Sequence, residues 1–512
     1  MGKSLPDKLF DQPGTLLGRL GSRDGAVIGA GMAVFVIALT GCALLRWQAP
    51  MIALASFGLA TVLLCYARQI RVPASAVAIA GLVGLALGAG WAMVVGPVMA
   101  QAYSAALGAQ TDLRHILLSG IAIPGSGALL MLAPAVVVRV TIRSIRDPRS
   151  GMAVGAWGAT VFNAGSTATL LWPQLAMGVS AHDQSAESLL AEAIVEGLAW
   201  PSACLAVGAI FGIALWLTPA APSGRNRATV VGALAAGLIV VTALGLVDVL
   251  PISVRPYIAA QLGISLLAVI AWRIVVARTV ARRVSDVGTA SYRGVLVPLI
   301  GVLGVLAAVS TGISALITPP AKAYVCPPDC GRPPLGTPVE TNPRYSGDNG
   351  AFSVAYPEEG AAYQVTFEPH GLAGVKLAYL GGDTGTMMLF GEPADGRTSR
   401  QIVEQVLGSK YPDAVVSYEV PNASVGYQPG YGVVADVYSR DSAASFTRLR
   451  VIVMAAIKHD YALIAAAVGP YHEFSPDYGS GHPSGANLEL AMDMGKYVNS
   501  FRWGGDRYGH RP

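Results

Sequence analysis

Glu192 and Glu196 stand four residues apart where an acidic stretch enters an apolar run, so a helix there carries both carboxylates on one face. Two carboxylates so placed could hold a cation or a proton. The ordinary alternative is a solvated juxtamembrane helix, because His182, Asp183 and Glu187 make the whole stretch an acidic loop. Cys326 and Cys330 flank Pro-Pro-Asp beyond the last apolar run and form a candidate structural disulfide. Metal binding, free thiols and an intermolecular bond are the alternatives, and two thiolates alone fall short of the usual zinc ligand set. Tyr427, Tyr431, Tyr471 and Tyr478, with His472 and His482, gather in Gly- and Pro-rich segments near the carboxyl end. Tyrosine offers large contact area at low entropy cost, which makes these six a candidate surface for a peptide, glycan or lipid headgroup. Tyrosine also caps cores, the plainer reading.

Catalytic chemistry has little to work with. The carboxyl-terminal part has no Ser-His-Asp signature and no cysteine beyond Cys330, and the apolar runs contain only Cys42, Cys65 and Cys204 as soft metal ligands. No catalytic, cofactor-binding or metal-binding residue is assigned, and a non-enzymatic protein without a cofactor is expected.

The elements that must position these residues follow from hydropathy. The chain has 512 residues, 53% hydrophobic and 13% charged, against about 25% charged in soluble domains. Nine apolar runs, Ala26 to Leu45, Met51 to Ala67, Ser75 to Val98, Ile116 to Val138, Met152 to Trp172, Leu198 to Leu217, Thr229 to Leu250, Tyr257 to Val276 and Val295 to Ile317, approach the length of a membrane span, about 20 residues for ~30 Å of hydrocarbon. Arginines cluster in alternate connectors: Arg68 and Arg71; Arg139, Arg143, Arg146 and Arg149; Arg225 and Arg227; Arg278, Arg282, Arg283 and Arg293. The other connectors hold Arg46, Arg114 and Arg255. Basic connectors stay inside, so the amino terminus (1–25) is expected in the cytoplasm, 26–318 in a plasma membrane, and the remainder outside. The first run has no small-residue cleavage site after it and is expected to remain as a signal anchor. Trp47, Trp172, Trp200, Trp216 and Trp272 fall near run ends, where indoles favour the headgroup region.

Two runs are irregular. Pro124-Gly125-Ser126-Gly127 interrupts the fourth, and Asn163, Ser166, Thr167 and Thr169 make the fifth polar enough to question whether it spans. Broken helices can mark transport sites. No ionisable residue lies near either irregularity in sequence, so kinking and close packing through small residues is the simpler expectation, and a small neutral solute is the transport alternative.

From Pro319 onward there are 20 Asp plus Glu against 15 Lys plus Arg, which argues against nucleic acid as a partner. A Pro- and Gly-rich tether (319–350) precedes eight short predicted strands: Phe352 to Tyr356, Tyr363 to Phe367, Val375 to Tyr379, Thr386 to Phe390, Ala414 to Val420, Gly432 to Ser439, Phe446 to Lys458 and Tyr461 to Val468. Helices are predicted at Thr398 to Leu407 and Ala486 to Phe501, and 505–512 as a disordered tail. The fold class is an all-α polytopic bundle followed by an α+β domain, an antiparallel sheet with packed helices.

Phe352-Ser353-Val354-Ala355-Tyr356-Pro357, the hairpin Ala456-Ile457-Lys458-His459-Asp460-Tyr461-Ala462-Leu463 and the closing Val498-Asn499-Ser500-Phe501-Arg502-Trp503 resemble PsbP-like domains, including those of LpqN-type actinobacterial lipoproteins. The resemblance covers 351–504 and implies a binding or accessory module without a fixed active site. Arg146-Asp147-Pro148-Arg149-Ser150-Gly151-Met152-Ala153-Val154-Gly155-Ala156 resembles a segment of PrsW-type intramembrane metalloproteases. The paired glutamates and histidines of that family have no counterparts in the corresponding runs here. The expectation is an actinobacterial cell-envelope protein whose membrane part presents a domain to a protein, glycan or lipid outside. A diverged PrsW-like protease and a small-solute transporter are the alternatives, and oligomeric state is left open.

Overall fold

The computed structural model describes residues 23–67, 72–101, 113, 116–145, 147–181, 184–216, 224–279, 292–318, 342–347, 350–358, 363–379, 385–438, 448–471 and 497–504. Cys326, Cys330, His472, Tyr478, His482, His182, Asp183, the predicted tail, most of the tether and most of the last predicted helix lie outside them.

Each apolar run coincides with a helical stretch: α1 (Arg23–Leu44), α2 (Gln48–Ala67), α3 (Ala74–Gln101), a π-helical turn Ile116–Ala122 continuing into α4 (Ile123–Leu130) and α5 (Ala133–Thr141), α6 (Pro148–Leu170), the short α7 (Trp172–Ala176), α8 (Ala186–Ile194) continued by a π-helical turn Val195–Ala199 into α9 (Trp200–Trp216), α10 (Gly224–Val249), α11 (Val254–Thr279) and α12 (Tyr292–Ile317). Six of these stretches are long and apolar enough to cross a membrane, and Gly29–Leu44 and Leu234–Val249 are shorter apolar helices. Large apolar side chains such as Ile37, Leu82, Val94, Leu266 and Leu316 point outward, as a hydrocarbon-facing surface requires.

The polar fifth run, α6, is the buried centre. Asp147 caps its start, its side chain accepting from Ser150 N at 3.2 Å, and Pro148 occupies the first turn. Fourteen of its residues are buried. Glycines permit this: Gly84 and Gly88 of α3 lie against the backbone of Gly158 and Phe162, and Gly151 and Gly155 meet Gly208 and Gly212 of α9 so closely that a Cβ at any of these positions would strike backbone. Small residues let helix backbones approach where water provides no drive to associate. A helix enclosed by protein can carry Asn, Ser and Thr that lipid would not tolerate. Trp216 and Trp200 depart from the headgroup expectation: Trp216 is buried, donating Nε1–H to Ile145 O at 3.0 Å, and Trp200 turns into the bundle. Both sit on α9, whose ends are surrounded by other helices.

Ala181 N donates to Arg46 O and Ala49 N to Val179 O, joining the first and fifth connectors. Arg139 lies over the Trp216 ring.

The carboxyl-terminal domain is an antiparallel sheet in the order β3-β4-β5-β10-β9-β8-β6, with β7 pairing β8, and a smaller sheet β1-β2-β11. The strands are β1 (Arg344–Gly347), β2 (Phe352–Ala355), β3 (Tyr363–Phe367), β4 (Gly374–Tyr379), β5 (Gly385–Pro393), β6 (Val415–Val420), β7 (Ser424–Val425), β8 (Gln428–Tyr438), β9 (Arg448–Lys458), β10 (Tyr461–Pro470) and β11 (Arg502–Trp503). Strand alternation divides its core in two. On β10, Ala462, Ile464, Ala466 and Val468 face α13 (Ser399–Lys410), while Leu463, Ala465 and Ala467 face Phe352, Phe501 and Trp503 of the smaller sheet. Thr398 caps α13 through a reciprocal pair of bonds with Gln401. One boundary is corrected: Arg344–Gly347, expected in the tether, pairs with Phe352–Ala355; after the predicted helix, which ends at Phe501, Arg502–Trp503 closes that sheet as a strand. Arg344 explains both, because its Nη2 donates to Ser353 O, Ser353 Oγ and Ser500 O, joining the tether's end to the closing segment.

Candidate functional site

A cavity of about 730 Å³ opens between the helices and continues to the carboxyl-terminal domain. Its walls are Trp91 of α3, Pro124 and Met131 from the broken fourth run, Phe162 through Leu170 of α6, and the face of α8–α9 bearing Glu192, Glu196, Trp200 and Cys204. Asp248 and Tyr257 close it on one side. Lys410, Tyr411 and Asp413 from the end of α13, with Tyr438 and Leu449, lie across it.

Four polar contacts connect the inner wall. Thr167 Oγ1 donates to Glu196 Oε2 at 3.2 Å, Asn163 Nδ2 to Thr167 Oγ1 at 3.5 Å, and Cys204 Sγ to Asn163 Oδ1 at 3.6 Å. Gln48 Nε2 donates to Gln174 Oε1 at 3.4 Å, and the Gln174 side chain also faces Glu192. Oε1 of Glu192 is buried and makes no hydrogen bond. Asp248 Oδ1 accepts from Tyr257 Oη at 2.8 Å and from Gln261 Nε2 at 2.5 Å. Among the described residues no Lys or Arg pairs with Glu192 or Glu196; Arg255, at the cavity mouth, pairs with exposed Glu187 at 3.5 Å.

Glu192 and Glu196, read from the sequence as a solvated face or a cation site, are half-buried and both line the cavity. The cause is local. Ser185 caps α8 and starts the helix ahead of the apolar run, so both glutamates enter the bundle, and the π-helical turn Val195–Ala199 contains Glu196 and shifts the register that follows. Such turns recur at functional sites. The absence of an ionisable group near the fifth run holds along the chain and fails in space, since Glu196 touches Thr167 across 29 positions.

The domain covers the cavity through a helix end. Asp413 Oδ2 accepts from the backbone N–H of Val254 at 2.9 Å, capping the start of α11 from outside the helix. Tyr411 and Lys410 beside it are partly buried; burial pushes the Tyr411 hydroxyl above, and the Lys410 ammonium below, its ordinary range.

The tyrosines do not form one surface. Tyr427 is 72% exposed at a left-handed turn, whereas Tyr431 is buried in the core beneath Arg400, whose guanidinium lies 4.5 Å from its ring. Tyr471 is covered by Arg448 at 3.6 Å. Tyr431 is withdrawn as a surface residue, because its place on β8 points it at α13. No three His, Cys, Asp or Glu group together among the described residues. Asn163, Gln174 and Asp248 escaped sequence reading as members of one site. The signal available was polarity inside an apolar run.

No protein-family model matches the chain, and no curated protein matches it.

Proposed function

We propose that this is a multi-pass membrane protein that binds a small solute within its helical bundle, beneath a carboxyl-terminal domain that covers the site. In this reading all nine helical stretches span an actinobacterial plasma membrane, the amino terminus is cytoplasmic, and a PsbP-like domain lies outside, its tether stiffened by a Cys326–Cys330 disulfide. The protein is non-enzymatic. The observation that supports it is the cavity itself: about 730 Å³, walled by polar side chains on a buried helix and shared with the domain. Small-molecule sites run about 300–1,000 Å³ and combine apolar walls with a few convergent polar groups, and carboxylates within a membrane bundle face functional cavities.

Two experiments test it. A periplasm-type reporter fused after Trp503 is expected to be active; activity of a cytosol-only reporter there overturns the orientation. The pair Val254→Cys and Asp413→Cys is expected to cross-link under mild oxidation in native membranes, since the Val254 backbone touches Asp413. Failure of that bond to form, with both thiols accessible to alkylation, sinks the covered-cavity reading.

A further inference from the structure

We infer that the solute is an organic cation, an ammonium or guanidinium compound held between Glu192 and Glu196 and the aromatic faces of Trp91, Phe162 and Trp200. This rests on the solute-binding reading above and adds the chemical class of the ligand. Two carboxylates occupy the inner wall without a basic partner among the described residues, and one oxygen, Oε1 of Glu192, is buried with no hydrogen bond at all. The remaining inner polar groups are already engaged with one another: Thr167 with Glu196, Asn163 with Thr167, Cys204 with Asn163.

The walls narrow the class further. Trp91 and Phe162 have ring centroids 6.1 Å apart, and Trp200 lies one helical turn beyond Glu196, so aromatic and acidic groups line the same space. Aromatic faces attract cations, and cages of this composition recognise quaternary ammonium groups. A bare metal ion is a poor match: the cavity is far larger than an ion, and no third His, Cys, Asp or Glu joins the two glutamates among the described residues. An anion would face Glu192, Glu196 and Asp248 together. Arg255 at the mouth is paired with Glu187.

The test uses the full-length protein in lipid nanodiscs and reads cavity occupancy as protection from thermal unfolding, followed as a rise in melting temperature. The probes are tetramethylammonium, choline, agmatine and 3,3-dimethyl-1-butanol, the uncharged isostere of choline. At least one cation is expected to protect at a concentration tenfold or more below the neutral alcohol. Glu192→Gln and Glu196→Gln should collapse that ratio towards one, and Trp91→Leu, which keeps both carboxylates, should reduce it several-fold. Equal protection by cations and alcohol overturns the cation inference and leaves the solute site standing. Protection by none of the four probes overturns the inference and the solute-binding reading together.

Discussion

Two acidic centres of this molecule, one buried and one half-buried, differ in how their charge is met. In the sheet, Asp436 on β8 is directly opposite Arg450 on β9, which donates to both its carboxylate oxygens at 3.0 Å, while Arg448 donates to Oδ2 at 2.7 Å. Tyr471 lies against both guanidiniums. In the bundle, Glu192 and Glu196 have a threonine and a glutamine for neighbours and, among the described residues, no basic partner. Asp436 and Arg450, 6% and 5% exposed, are closed to solvent and saturated, and their arrangement serves register and packing. The glutamates border open volume. The contrast is between a buried carboxylate paired with two arginines and half-buried carboxylates that face a cavity.

The contrast predicts opposite signs. Asp436→Ala leaves two guanidiniums without their counter-charge and should destabilise the domain by about 3–5 kcal/mol, read as faster hydrogen exchange in β8 and β9 of the intact protein. An unchanged exchange rate would show the cluster to be ornamental. Gly155→Val in the bundle forces a side chain onto the backbone of Gly208; overpacking of this kind costs about 1–3 kcal/mol, measurable as a lowered melting temperature in detergent. Thr398→Ala removes the capping box of α13 and should cost about 1 kcal/mol, with Thr398→Ser restoring it. Glu196→Gln, by comparison, should leave thermal stability unchanged or slightly raised, since it removes an uncompensated carboxylate; a large destabilisation would mean that the glutamates are structural after all.

The smallest effect concerns Lys410. Its pKa is lowered by burial, so the unfolded chain binds more protons than the folded one between the folded and the ordinary lysine values. Stability should therefore rise with pH across that window, and Lys410→Met should flatten the rise. A rise that survives the substitution assigns it to another group.

Much of the architecture can be read along the chain. Strand alternation at Leu463 and Ile464, the capping pair Thr398 and Gln401, and each helical run follow from local patterns of apolar and polar residues, because burial on one face of a helix or strand imposes its own period on the sequence. The candidate site was half legible. Glu192 and Glu196 were visible as a pair by their spacing, and Asn163 and Thr167 as polarity in an apolar run, but each set had an ordinary explanation alone. Their meeting depends on glycine contacts that draw α3, α6 and α9 together, on a π-helical turn that no local propensity encodes, and on Asp413 reaching Val254 across 159 positions. Local sequence specifies which backbone period a segment adopts and which residues seek shelter from water or lipid. Whether a sheltered carboxylate meets an arginine or an empty space is a matter of long-range packing, where the energies of many weak contacts are settled at once.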